Sequence, residues 1–260
     1  MRNQEGYVDL GNYRLYYQTY GTGFPILLLH GANTCLQFMN HSTTWELGNW
    51  LVDQGFRVVA FDQHGSGQST HLDDFPLDYF DKSANDAIRL LDQLKIKNFG
   101  VIGVSEGATT ALNLAIHYPE RVELVVADSG SYYVAKEMLA VEEDPDNAWP
   151  KTWQYLLNEV HGEGYAAELQ AARRKLLSRL AENKIDLFQG RLAEIQCPTL
   201  LTACTGDIYG LNHQAKKMGE IIPNAQVKIF RGGDHPVMWN LTDKFSRELK
   251  DFLYRILRSA

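Results

Sequence analysis

The run Gly103-Val104-Ser105-Glu106-Gly107 restricts the fold more than any other stretch of this chain. It follows an apolar segment, residues 99–104, and leads directly into a helical pattern in which Ala108, Ala111, Leu112, Ala115 and Ile116 recur three and four residues apart until Pro119. A strand that becomes a helix without a loop must turn sharply through a strained backbone, and only small neighbours fit around such a turn. The turn projects Ser105 from the end of the strand into the N-terminus of the helix, so the segment calls for a parallel sheet with helices packed against it.

The rest of the chain supports that demand. A hairpin-like pair at residues 7–10 and 14–20 is punctuated by Gly11-Asn12. Short apolar runs follow at 25–29, 57–61, 99–104, 122–127, 198–203 and 226–230, each of the kind buried on both faces of a parallel sheet. Helical patterns lie between them, clearest at 77–94, and a final helix is predicted over about 240–257. From 131 to 193 the alternation lapses into helical patterns alone, at 149–160 and 165–180. The expected organisation is an α/β core formed by residues 1–130 and 194–260, with 131–193 as a helical cap inserted into it.

Composition narrows the function. The 260 residues are 45% hydrophobic and 22% charged, which excludes a disordered chain. Lys plus Arg is 25 against Asp plus Glu 32, a formal net charge of −7, and this argues against nucleic acid or an anionic membrane as partner. A small-molecule substrate is expected, and the oligomeric state is not legible. Residues 1–6 carry no apolar core of a leader segment, and no run approaches the roughly 18 apolar residues that span a bilayer, so a cytoplasmic protein is expected. Cys35, Cys197 and Cys204 form no Cys-x-x-Cys pair and are odd in number, and no His-Glu-x-x-His pattern occurs, so neither disulfide framework nor metal nor organic cofactor is anticipated. The acidic cluster Glu142, Glu143, Asp144 and Asp146 reads as a solvated loop.

A serine hydroxyl needs a base, and the base needs a group that fixes its tautomer. With Ser105 as candidate nucleophile, His235 in Gly232-Gly233-Asp234-His235-Pro236 is the candidate base, because it follows the last strand and lies at the same sheet edge. The other histidines read as loop-shaping (His30, His64) or as surface and packing residues (His41, His71, His117, His161, His213). Asp207, in Thr205-Gly206-Asp207, ends the preceding strand and is the preferred orienting acid, with Asp128 as its rival; Asp234 reads as a loop residue. An oxyanion would be held by the backbone N–H of Glu106 and a second donor from His30-Gly31-Ala32-Asn33, either Ala32 or Asn33.

Taken in order, His30-Gly31, Asp62-x-His64-Gly65-Ser66-Gly67-x-Ser69, Gly103-x-Ser105-x-Gly107, Asp207 and His235 resemble the α/β-hydrolase family across essentially the whole chain. That resemblance implies a mostly parallel eight-stranded sheet with flanking helices, a cap after the sixth strand, and a structural role for Asp62 to Ser69. Asp74-Phe75-Pro76-Leu77-Asp78-Tyr79-Phe80, Ala84-x-Asp86-Ala87 and Gln196-Cys197-Pro198 are similar to the valacyclovir hydrolase-like (biphenyl hydrolase-like) serine esterases. In those enzymes an acid directly after the nucleophile is associated with the amino group of α-amino acid esters, a place held here by Glu106. The chain departs from that pattern at Ala108, Cys204 and the proline-free stretch 209–211.

The expected activity is hydrolysis of a small carboxylic ester, or a thioester or lactone, through an acyl-enzyme on Ser105, His235 and Asp207. Glu106 is expected either to bind a substrate ammonium or to turn its carboxylate to a cap residue such as a Tyr or Lys. Among the cap aromatics Tyr132, Trp149, Trp153 and Tyr155, the two tryptophans are the substrate-binding candidates. A carbon–carbon bond hydrolase and a small-molecule receptor on the same fold are the alternatives.

Overall fold

The computed structural model describes residues 4–40, 47–144 and 151–257. Eight strands, β1 (Gln4–Asp9), β2 (Arg14–Gly21), β3 (Pro25–Leu29), β4 (Arg57–Phe61), β5 (Phe99–Val104), β6 (Val122–Asp128), β7 (Thr199–Cys204) and β8 (Ala225–Phe230), form one sheet in the order β1-β2-β4-β3-β5-β6-β7-β8. β2 is antiparallel to both β1 and β4, and every other neighbouring pair is parallel. Each expected strand is present, with ends shifted by a few residues at most.

Alternation along the central strands divides the core between two faces. Leu27 and Leu29 of β3 and Val101 of β5 meet one hydrophobic cluster, while Ile26, Leu28, Ile102 and Val104 meet another. The first cluster is covered by α3 (Tyr79–Gln93) and α4 (Glu106–His117), the second by α2 (Leu47–Asp53) and α10 (Thr242–Leu257). In α10 the residues Phe245, Leu249, Phe252 and Leu253 recur along one face, which is why this helix docks on the sheet. The helix expected over about 240–257 is α10, which starts at Thr242 because Leu241 (φ −130°, ψ 43°) separates it from the short α9 (Val237–Asn240).

Between β6 and β7 the described residues form α5 (Lys136–Glu143), α6 (Lys151–His161) and α7 (Tyr165–Glu182), with one isolated bridge between Tyr133 and Asp186. Leu169, Leu176 and Leu180 of α7 join the first core cluster, so these helices share their apolar interior with the sheet's own covering. Among the described residues α1 (Leu36–Asn40), α2, α5, α8 (Leu211–Ile221) and α9 have no distinct helical pattern of their own in the sequence. Strand order reverses at β3, whose successors β4 and β5 lie on opposite sides of it. In an open parallel sheet such a reversal leaves a crevice beyond the carboxyl ends of the strands, where ligands bind.

Candidate active site

Three side chains meet in that crevice. Ser105 stands between β5 and α4 with φ 55° and ψ −121°, a left-handed backbone that is costly for a non-glycine residue. The surroundings permit it only because they are glycine: a Cβ on Gly103 would lie 2.1 Å from the Gly107 carbonyl oxygen, and one on Gly107 would lie 2.2 Å from that of Leu29. The Ser105 backbone N–H donates to the Asp128 carbonyl at 2.8 Å, tying the turn to β6. His235, on the loop after β8, places Nε2 3.0 Å from Ser105 Oγ and Nδ1 3.0 Å from Asp207 Oδ2. The Asp207 side chain is fully buried and that of His235 is 14% exposed, so the chain of contacts is shielded from water on the acid side and open on the serine side. The aspartate's other oxygen accepts the Tyr209 N–H at 2.9 Å, and the Tyr209 ring stands edge-on to His235 at 4.9 Å.

The rival acid, Asp128, does not reach His235 directly. Its carboxylate accepts from the Thr202 hydroxyl at 2.6 Å and from the Met238 N–H at 2.9 Å, and so holds the segment that follows His235. Burial pushes its carboxyl up to about 6. Asp62 is likewise a brace: it accepts the N–H groups of Leu36 and Gln68, each at 2.8 Å.

The loop after β3 faces Ser105, and a Cβ on Gly31 would come within 3.2 Å of the Ser105 Cβ. Ala32 and Asn33 line the same cavity, and Asn33 takes a left-handed φ of 57°. His30 sets this loop: it is 1% exposed, its Nδ1 hydrogen bonds the Gly31 carbonyl at 2.9 Å, and its Nε2 accepts the Gln63 N–H at 3.0 Å. Burial pushes its pKa down to about 3, so the ring is neutral. His161, expected at the surface or in packing, is buried and ties α6 to two loops. It accepts the Gly67 N–H at 2.8 Å and donates to the Asn33 carbonyl at 2.9 Å, fixing one candidate oxyanion donor from above.

The family profile described as alpha/beta hydrolase fold matches residues 25–184. The chain belongs to the α/β-hydrolase family. Serine hydrolase BPHL of Homo sapiens is 28% identical over 95% of this α/β-hydrolase and 85% of its own length. The esterase EaEST from Exiguobacterium antarcticum superposes with a TM-score of 0.76 at 18% identity, covering 96% of this chain and 99% of that one. The 2-hydroxy-6-oxo-6-phenylhexa-2,4-dienoate hydrolase of Rhodococcus sp. strain RHA1 superposes with a TM-score of 0.78 at 17% identity, covering 97% and 99%. At these identities the two structures share its fold.

The rest of the cavity in this α/β-hydrolase corrects several sequence expectations. Met138 and Glu142 of α5, Leu177 of α7, and Tyr209 and Trp239 line it beside Ser105 and His235. Trp153 is not among the lining residues: it stacks on Phe38 at 5.1 Å and leans on Trp239 at 5.7 Å, backing the wall rather than forming it. Tyr155 is 64% exposed, Tyr132 packs on Phe188 at 6.1 Å, and Trp149 lies outside the described residues. Glu142, assigned to a solvated loop, instead accepts the Tyr209 hydroxyl at 2.5 Å. Of the two expectations for the Glu106 carboxylate, the structure shows the turn to a residue of the 131–193 segment, here the Arg173 guanidinium in place of a Tyr or Lys, an ion pair buried between α4 and α7. Arg173 occupies the same stripe as Leu169, Leu176 and Leu180, and a lone charge on an apolar stripe was the available signal for it. Among the described residues no group of three or more His, Cys, Asp and Glu is placed to hold a metal ion, and no helix is long and apolar enough to cross a membrane.

Proposed function

We propose that this α/β-hydrolase cleaves small carboxylic esters through an acyl-enzyme on Ser105. The observation that carries the reading is the relay from Ser105 Oγ to His235 Nε2 and from His235 Nδ1 to Asp207 Oδ2, with 3.0 Å at each link. With Nδ1–H donating to the buried carboxylate, Nε2 is left as acceptor for the serine proton. Ser105 Oγ attacks the ester carbonyl carbon as its proton passes to Nε2, and the N–H groups of Glu106 and of Ala32 hold the oxyanion. Collapse breaks the bond to the alcohol oxygen, which takes the proton from His235. Water then attacks the acyl carbon and gives a proton to the same nitrogen; collapse breaks the bond to Ser105 Oγ, which takes that proton from Nε2, and the acid leaves. Asp207 holds the imidazole in its tautomer and stabilises the imidazolium without taking the proton. The helices α5 to α7 act as a cap whose Met138 and Leu177 shape the acyl pocket, and the substrate is a small molecule taken up without a metal or an organic cofactor.

The test is covalent labelling with an organophosphate beside turnover of an aryl ester panel. Label on Ser105, and loss of several orders of magnitude in turnover for a folded Ser105→Ala, are the expected results. Label elsewhere, or undiminished turnover by Ser105→Ala, would overturn the reading. A panel in which vinylogous diketones are cleaved and aryl esters are not would move the assignment to a carbon–carbon bond hydrolase.

A further inference from the structure

Arg173 is one of the largest fully buried side chains in the molecule, at 2% exposure, and it lies on a helix that supplies a wall of the active-site cavity. We propose that Arg173 determines acyl specificity: by holding the carboxylate of Glu106 it makes this hydrolase select uncharged acyl groups over α-ammonium ones. The proposal deepens the ester-hydrolase reading and rests on it.

Glu106 directly follows the nucleophile and lines the cavity, so its side chain starts beside the acyl carbon. A bare carboxylate there, partly shielded from water, would draw in a substrate ammonium. Arg173 removes that attraction. Its Nη1 pairs with Glu106 Oε2, and its Nη2 donates to the Tyr79 hydroxyl at 3.0 Å. Its guanidinium lies over the rings of Phe75 and Tyr79, at 4.4 and 4.7 Å from their centroids. Two rings, Phe75 and Tyr79, the second also offering its hydroxyl, therefore cage the cation on its carboxylate, and an incoming ammonium would meet a compensated charge with a guanidinium behind it. The pairing is incomplete: Arg173 Nε and Glu106 Oε1 are buried without a hydrogen-bond partner among the described residues. Replacing a buried ion pair by apolar side chains of the same size is often neutral or stabilising, so stability alone does not account for this pair. The cavity's other carboxylate, Glu142, is engaged by the Tyr209 hydroxyl, and the test must separate it from Glu106.

The experiment compares kcat/KM for the benzyl ester of phenylalanine with that for the benzyl ester of 3-phenylpropanoic acid, at about pH 6.5 where the α-ammonium is protonated. Wild type should favour the des-amino ester. Arg173→Met should raise the amino to des-amino ratio about tenfold or more, the scale of one charge-assisted hydrogen bond. Adding Glu106→Gln to Arg173→Met should remove that gain, and Arg173→Lys, which keeps a cation, should retain the wild-type ratio. A folded Arg173→Met with an unmoved ratio overturns the proposal, as does a gain that survives in the double variant. So does a wild-type preference for the amino ester that either Glu106→Gln or Glu142→Gln abolishes. If Arg173→Met does not fold, Arg173→Lys and Glu106→Gln decide: Glu106→Gln must move both esters by one common factor, and a selective loss on the amino ester refutes the assignment. The same comparisons are made as calorimetric binding in the Ser105→Ala background. Binding selectivity that follows the expected pattern while no variant turns over any ester would overturn the ester-hydrolase reading and leave the role of Arg173 standing.

Discussion

Asp128 ends β6 and Asp207 lies on the turn after the neighbouring β7, and changing each to asparagine tests which of them orients His235 and which holds its loop. Asp207→Asn keeps the volume and the bond to the Tyr209 N–H but presents His235 Nδ1 with an amide, which permits the wrong tautomer. Turnover should fall on the order of 10³ to 10⁴-fold with the melting temperature nearly unchanged. Asp128→Asn keeps an oxygen for the Met238 N–H but turns an NH₂ toward the Thr202 hydroxyl, which must then accept instead of donate and loses its buried carboxylate acceptor. That variant should lose about 1–3 kcal/mol of stability and lose less turnover than Asp207→Asn. Kinetics and thermal melts on both proteins check this, and a reversed pattern would exchange the two roles. That Ser105, His235 and Asp207 come together was legible in the sequence because each follows the carboxyl end of a strand of one sheet, and strand ends can be placed from apolar runs. The partner of Glu106 was not, because it depends on the rotation of α7 about its own axis, which helical periodicity fixes only once the partner surface is known.

Strands and helices with a strong apolar pattern were readable, including the exposed edge strand β8, and a helix whose buried stripe is thin and partly polar was not. β3 and β5 are continuous apolar runs and β7 is interrupted only by buried threonines, whereas α8 hides only Leu211, Gln214, Ala215 and Met218, a stripe broken by a polar residue. The same limit explains the tryptophans: a large ring on a helix must be covered, but sequence does not say whether by substrate or by protein. Trp153 of α6 is covered by Phe38 and Trp239, and Trp239 of α9 faces the cavity. Trp153→Ala should therefore cost about 1–3 kcal/mol and leave the acyl-length preference of an aryl ester series in place. Trp239→Ala should shift that preference toward longer chains. A preference that moves in Trp153→Ala as much as in Trp239→Ala would mean that α6 contributes to the pocket directly.

At the scale of the whole molecule, burial sets two groups of ionisable side chains against each other. His30 and His64 are pushed down to about 3 and about 4 and His161 is lowered, while Asp62, Asp86 and Asp128 are pushed up to about 6, in every case chiefly by loss of water. The histidines make the unfolded chain the better proton acceptor below about pH 6.5, so they remove stability as pH falls; the aspartates make the folded chain the better acceptor near pH 6 and add it. A difference between two proteins isolates one group, and His161 is the useful one because it joins α6 to both the Gly67 turn and the Asn33 loop. Glutamine at 161 can accept from Gly67 and donate to Asn33 but cannot take up a proton. The folded pKa of His161 is depressed, so the stability it contributes is complete above its unfolded value of about 6.5 and is lost progressively as pH falls below that. The stability of wild type relative to His161→Gln, from denaturant unfolding, should therefore be constant between about pH 8 and 7 and then decline, by at most about 1.4 kcal/mol per pH unit. The aspartate terms are common to both proteins and cancel. A stability difference that stays level down to about pH 5 would show that His161 is protonated as readily in the folded state as in the unfolded one, and that the α6 tie does not depend on a neutral ring.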